Sequence, residues 1–150
     1  MKFLLPVGGV VDDRFGILTT YKHKGTPAGI IAGMPWAGDN CAFTDGFQSE
    51  LFFEWVETML PYRDNCLFIT CPDVVGDAVA TLELFEKWYQ HFTGWPLAFV
   101  GQDGQEALEF PDPQNWDALF VGGSTQWKCG QGAIDVIKRA QEIKKYTSGG

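Results

Sequence analysis

The sequence predicts an α/β fold built on a parallel sheet, and two observations carry that expectation. Short apolar runs alternate with amphipathic helical patterns from residue 28 onward, the order parallel strands need because each return crossing takes a helix. The runs are apolar continuously rather than at every second position, which marks strands covered on both faces. With 150 residues, 45% hydrophobic and 20% charged, the chain can pack one core, so residues 1–150 read as a single domain.

The elements follow in order. A glycine-rich start holds a strand pair around Phe3 to Val11 and Gly16 to Tyr21. The apolar run Ala28 to Met34 closes on Pro35-Trp36-Ala37-Gly38-Asp39-Asn40, and a helix follows with Leu51, Phe52, Trp55, Val56 and Met59 on one face. Asp45, with Gln48 three residues on, is placed to cap that helix, and Pro61 stops it. Cys66 to Cys71 is a buried-strand pattern ending in Pro72-Asp73. Asp77 then opens a helix carrying Val79, Leu82, Phe85, Tyr89 and Phe92 inward, with Glu83 and Lys87 paired on its wet side. Pro96 to Val100 is a third strand, and an irregular crossover runs through Pro111 and Pro113 to Trp116. Asp117 to Val121 is the fourth, and the last helix sets Ile134, Ile137 and Ala140 on one side, with cations near its end where the helix dipole favours them.

Eleven Lys and Arg against nineteen Asp and Glu leave a net charge of −8, and such a surface repels a phosphate backbone unless its few bases cluster. Arg14 together with Lys22-His23-Lys24 is the N-terminal patch able to meet phosphate. Cysteines at 41, 66, 71 and 129 form no Cys-x-x-Cys pair, which fits thiols in a reducing cytoplasm and gives neither a zinc knuckle nor a disulfide scaffold. No metal and no cofactor is expected. Pro6, Gly8, Gly9 and Asp12-Asp13 interrupt the opening apolar residues before a cleavage site, and no run reaches the ~20 apolar residues of a membrane span. A cytoplasmic location without membrane contact is the expectation. Twelve Phe and six Trp exceed what a minimal core uses, leaving rings for a pocket or a partner.

The polar residues that carry chemistry fall at the carboxyl ends of four successive strands: Asp39, Asp73, Gln102 and the pair Gly122-Gly123. Parallel α/β proteins keep their sites there. Two carboxylates, one amide and bare backbone around one mouth suit a nitrogen heterocycle: carboxylates accept from ring N–H and amine groups, an amide gives and accepts, and glycine lets backbone N–H approach a carbonyl. Each residue also has a plain structural alternative: an Asx turn with Asn40 for Asp39, helix-start chemistry for Asp73 and turn chemistry for Gln102.

In this order the four motifs resemble the tRNA-guanine transglycosylase superfamily, particularly its phage branch, which inserts 7-deazaguanines into DNA. Ala-Gly-Asp39-Asn-Cys-Ala-Phe resembles the family's Asp-Ser-Gly-Gly-Phe stretch; Cys-Pro-Asp73-Val-Val-Gly-Asp resembles its base-recognising aspartate; Phe-Val-Gly-Gln102-Asp-Gly and Leu-Phe-Val-Gly122-Gly123-Ser-Thr-Gln-Trp-Lys resemble its glutamine and glycine loops. The resemblance covers roughly residues 30 to 145. It implies a partial (β/α) barrel of TIM type with about four βα units, the N-terminal half of the family's barrel. It also implies a pentosyltransferase reaction, guanine/7-deazaguanine exchange at a nucleic-acid glycosidic bond, with DNA favoured over tRNA. Asp39 would handle protons, while Asp73, Gln102, Gly122 and Gly123 would bind the base. The family's nucleophilic aspartate and its zinc ligands have no counterpart here, and Asp39-Asn-Cys replaces Asp-Ser-Gly-Gly. The chain is therefore expected to act with a second copy or a complementary half-barrel chain; the alternative is a non-catalytic half-barrel remnant that binds a purine or a partner.

Overall fold

The computed structural model describes residues 3–7 and 14–147. The protein is α/β: strands β1 (Phe3–Pro6), β2 (Phe15–Thr20), β3 (Trp36–Asp39), β4 (Cys66–Thr70), β5 (Leu97–Gly101) and β6 (Ala118–Val121) form one six-stranded sheet. Its order is β1-β2-β3-β4-β5-β6, and every neighbouring pair is parallel. Sequential parallel strands joined by right-handed crossovers wind in one sense and keep their helices on one face, as in an arc of a β/α barrel. A doubly wound sheet would reverse its strand order. The first strand pair is parallel, and the part of its expected range from residue 8 to 11 lies outside the described residues.

The helices are α1 (Ala28–Ile31), α2 (Ala42–Asp45), α3 (Ser49–Thr58), α4 (Ala78–Trp88), α5 (Thr125–Lys128) and α6 (Gln131–Thr147). The apolar run Ala28 to Met34 is thus not a strand. Pro27 precedes a single helical turn that buries Ile30 and leaves Ile31 60% exposed, and Gly33, at φ +95°, turns the chain toward β3. Strand β3 lies where Trp36 is fully buried and donates its indole N–H to the Tyr62 carbonyl at 2.8 Å. Asp45 is the last residue of α2 and not the cap of α3, whose N-cap position is Gln48 and carries no side-chain cap. Asp77 caps α4 as expected, its Oδ1 accepting from the Ala80 N–H at 3.0 Å.

Along α4 and the turn that follows it, the expected inner residues Leu82, Phe85, Tyr89 and Phe92 do pack into the core, with Ala78 and Thr81 buried beside them, and only Val79 departs, 57% exposed. The face of α6 differs from the expected one. Helix α6 buries Ala133, Val136 and Ala140, and both Ile134 and Ile137 are exposed. In α6 the smaller Ala133, Val136 and Ala140 take the inner positions because they let the helix axis approach the sheet, whereas the isoleucines would hold it off.

The core lies between sheet and helices, where Trp36, Ile69, Leu97 and Phe99 meet Phe52, Val56, Phe85 and Trp116. The opposite sheet face is lined by small or polar buried residues, Ala37, Thr70, Ala98 and Val100. Across it the rings of Phe68 and Phe120 make an edge contact at 6.0 Å. No helix among the described residues is long and apolar enough to cross a membrane. Arg14 and Lys22-His23-Lys24 do not form one patch: the six-residue β2 separates them by about 20 Å, and the lysine loop lies at the carboxyl end of the sheet.

Candidate functional site

A cavity of about 190 Å³ opens at the carboxyl ends of β3 to β6. All five residues singled out in the sequence, Asp39, Asp73, Gln102, Gly122 and Gly123, line it, together with Asn40, Thr70, Val100, Phe120 and Lys128. Parallel strands deliver their carboxyl-terminal loops to one rim, which is why residues far apart in the chain meet. The cavity is smaller than the ~300–1,000 Å³ of drug-sized clefts and suits a bare heterocycle better than a whole nucleotide.

Asp73 is the hub. Its Oδ1 accepts from Asn40 Nδ2 at 2.8 Å and its Oδ2 from Gln102 Nε2 at 2.6 Å. Gln102, 1% exposed, also accepts the Gly76 N–H on Oε1 at 2.9 Å, so its amide ties the loop after β4 to the end of β5. Both ends of that amide are used within the protein, which makes Gln102 a clamp on Asp73. Asn40, equally buried, donates to the Cys71 carbonyl as well as to Asp73 and accepts the Ala42 N–H at 2.8 Å. Its own N–H donates to Thr70 Oγ1 at 3.0 Å. From the sequence Asn40 has only a turn role; its one signal there is an amide directly following a strand-end acid.

Asp39 does form an Asx turn, accepting the Cys41 N–H on Oδ1 at 2.9 Å. Its other carboxylate oxygen has no hydrogen-bond partner among the described residues, and the residue belongs to the cavity lining. Two consecutive Asx turns, at Asp39 and Asn40, hold Cys41 at φ 60°. That left-handed conformation usually falls to glycine.

Burial raises the Asp73 carboxyl above its ordinary 3.8, and the Asp39 charge adds to the rise, while the hydrogen bonds from Asn40 and Gln102 oppose it. Burial, reinforced by Asp73, also pushes the Cys71 thiol up, and burial takes Cys66 to about 12, so neither is a thiolate nucleophile at neutral pH. A carboxyl raised in the fold binds its proton more tightly folded than unfolded. Its contribution to stability therefore falls as pH rises from about 3.8 through the folded value. Affinity for a ligand that donates to the carboxylate is expected to run the other way, weakening as pH drops through that window. NMR titration of the Asp73 carboxyl checks both: a midpoint at or below 3.8 would contradict them.

The two glycines differ. Gly122 donates its N–H to the Gly101 carbonyl at 2.9 Å, and a Cβ there would stand 2.6 Å from Gln102 Nε2 and 2.9 Å from Val100 Cγ1. Gly123 is buried at φ +83°, and its N–H has no acceptor among the described residues. Asp103 holds this loop, accepting Ser124 N–H and Oγ–H at 2.7 and 2.6 Å. These bonds lower the Asp103 carboxyl. Gly123→Ala is expected to cost about 1–3 kcal/mol, since L-residues resist that φ, and the new Cβ would fall 2.6 Å from Asp103 Oδ1. A urea midpoint unchanged in the variant would show that the loop relaxes freely.

Around the mouth stand Phe43, 82% exposed, and Val75. No group of three or more His, Cys, Asp or Glu side chains placed to hold a metal occurs among the described residues. Fold and site together define a singly wound parallel α/β protein with an acid- and amide-lined cavity at its strand ends. Compared with protein-family models, with curated proteins and with solved structures, the chain matches none of them.

Proposed function

We propose that the strand-end cavity binds a guanine-type base, guanine or a 7-deazaguanine, and that the chain supplies the base-recognition part of a base-exchange reaction on nucleic acid, DNA in preference to tRNA. The supporting observation is the set of groups around one cavity: the Asp73 carboxylate and the unpartnered oxygen of Asp39 as acceptors, and Gly123, whose N–H has no acceptor among the described residues, as the donor. Guanine offers the complement, an amine and a ring N–H as donors and O6 as acceptor. The exposed Phe43 ring beside the mouth gives a planar base a surface to lie against.

In the exchange the C1′–N bond of the resident base breaks as a carboxylate bonds to C1′, and the incoming base reverses the step. Asp39 holds or moves the proton on the ring nitrogen that leaves and returns. The nucleophile comes from a complementary half-barrel chain in the reducing cytoplasm. That partner also carries basic surface for the nucleic acid, since this chain has a net charge of −8. A second reading, a binding module without catalysis, has its own support. Asp73 and Gln102 already satisfy each other, and such a clamp positions a ligand without needing to change its protonation.

Calorimetry with guanine, 7-deazaguanine and adenine, run beside incorporation of radiolabelled guanine into DNA and tRNA, separates the readings. Incorporation that appears only when the complementary chain is added establishes exchange, guanine binding without incorporation even then leaves the module, incorporation by this chain alone contradicts a partner-borne nucleophile, and binding of none of the three bases overturns both.

A further inference from the structure

Helix α5 contributes a side chain whose surroundings the base-binding reading does not use. The indole of Trp127 is bounded by three glycines from three different segments. A Cβ at Gly123 would stand 2.7 Å from its Cε3, one at Gly132 2.7 Å from its Nε1, and one at Gly101 3.8 Å from its Cη2. Its Nε1–H donates to Glu106 Oε2 at 2.9 Å, and its backbone N–H donates to Ser124 Oγ at 3.2 Å. Glu106 is itself anchored, because its carbonyl accepts from Arg139 Nη1 at 3.1 Å. The ring is thus fixed at its edge and packed flush on Gly123.

Gly123 is held by two restraints. Asp103 fixes the following residue, Ser124, and a Cβ at Gly123 would meet both Asp103 Oδ1 at 2.6 Å and the indole Cε3 at 2.7 Å, so the carboxylate and the ring together close the space into which the glycine would relax. Glycine at φ +83° has wide conformational freedom unless its neighbours remove it. A donor already aimed when the ligand arrives needs no ordering at binding.

We propose that Trp127, locked by Glu106 into its three-glycine socket, is the positioning residue that holds the Gly123 N–H at the cavity wall and so sets the site's preference for a ligand with a ring carbonyl over one without it. This rests on the base-binding reading above. Trp127 touches no ligand; it acts through Gly123.

The test uses the full chain and two probes, guanine, which carries the carbonyl, and 2-aminopurine, which lacks it. Trp127→Ala is expected to lose about tenfold in guanine affinity and less than about twofold for 2-aminopurine, the worth of one aimed neutral hydrogen bond. Trp127→Phe keeps a ring in the socket without the indole N–H, and Glu106→Leu removes the acceptor while leaving the indole; both are expected to fall between wild type and Trp127→Ala. In amide NMR spectra the Gly123 resonance shifts on adding guanine to the wild type and does not in Trp127→Ala. Equal losses on both probes, or a preference unchanged across the variants, would overturn the proposal while leaving base binding intact. If Trp127→Ala does not fold by circular dichroism, an unchanged preference in Trp127→Phe and Glu106→Leu overturns it equally. Wild-type protein that binds neither probe overturns the base-binding reading and this inference with it.

Discussion

Asp73→Asn is expected to weaken guanine binding by about 2- to 30-fold, because a charge-assisted hydrogen bond from a ligand donor is worth roughly 1.5–3 kcal/mol, against about 1 kcal/mol for a neutral one. The amide also fits its own neighbours badly. Asn40 Nδ2 and Gln102 Nε2 both donate to this carboxylate, one to each oxygen, so an asparagine must turn its NH2 group toward one of them. That donor-to-donor clash costs a further ~1–3 kcal/mol of fold stability. Gln102→Ala is expected to cost less in binding, because Gln102 reaches a ligand only through Asp73, yet it strands the Gly76 N–H and leaves a void. Calorimetry on both variants, with urea unfolding as the stability control, tests the ranking. Equal binding losses would place recognition in the clamp as a whole and not in the carboxylate.

The largest expected loss of stability is at Trp36, where Trp36→Ala should cost about 3–5 kcal/mol. The side chain is fully buried, packs edge-on against Trp55 and Trp95 at 6.2 and 6.1 Å, and donates to the Tyr62 carbonyl. Removing it opens a cavity beneath α3 and orphans a carbonyl in the segment leading to β4. Because β3 ends at Asp39, the same substitution should also loosen the cavity and reduce guanine affinity. Chemical denaturation measures the first effect. A loss below about 1.5 kcal/mol would mean that neighbouring rings collapse into the space, as cores with adaptable neighbours do.

Much of this architecture is legible because it is written locally. Strands β4, β5 and β6 stand out as short, continuously apolar runs closed by Pro72-Asp73, Gly101-Gln102 and Gly122-Gly123, and α4 starts at an aspartate whose cap depends only on the next three residues. Parallel pairing then follows from the intervening helices, and parallel pairing sends Asp39, Asp73, Gln102 and the glycines to one rim.

Other features depend on packing between distant segments. Ala28 to Met34 is as apolar as a strand, and the burial of Trp36 against the segment around Tyr62 is what moves β3 downstream of it. Hydrophobicity alone points α6 the wrong way, since the approach of helix to sheet favours Ala133 and Val136 over Ile134 and Ile137. Asn40 is invisible as a site residue because its partners Cys71 and Asp73 lie 31 and 33 positions away. The Trp127 socket likewise exists only once Gly101, Glu106 and Gly132 converge on one ring. Periodicity and capping act over a few residues, so the order of amino acids specifies which elements form and which of their ends carry polar groups. The phase of each helix and the hydrogen bonds that join one strand end to the next are settled by close packing across the whole chain.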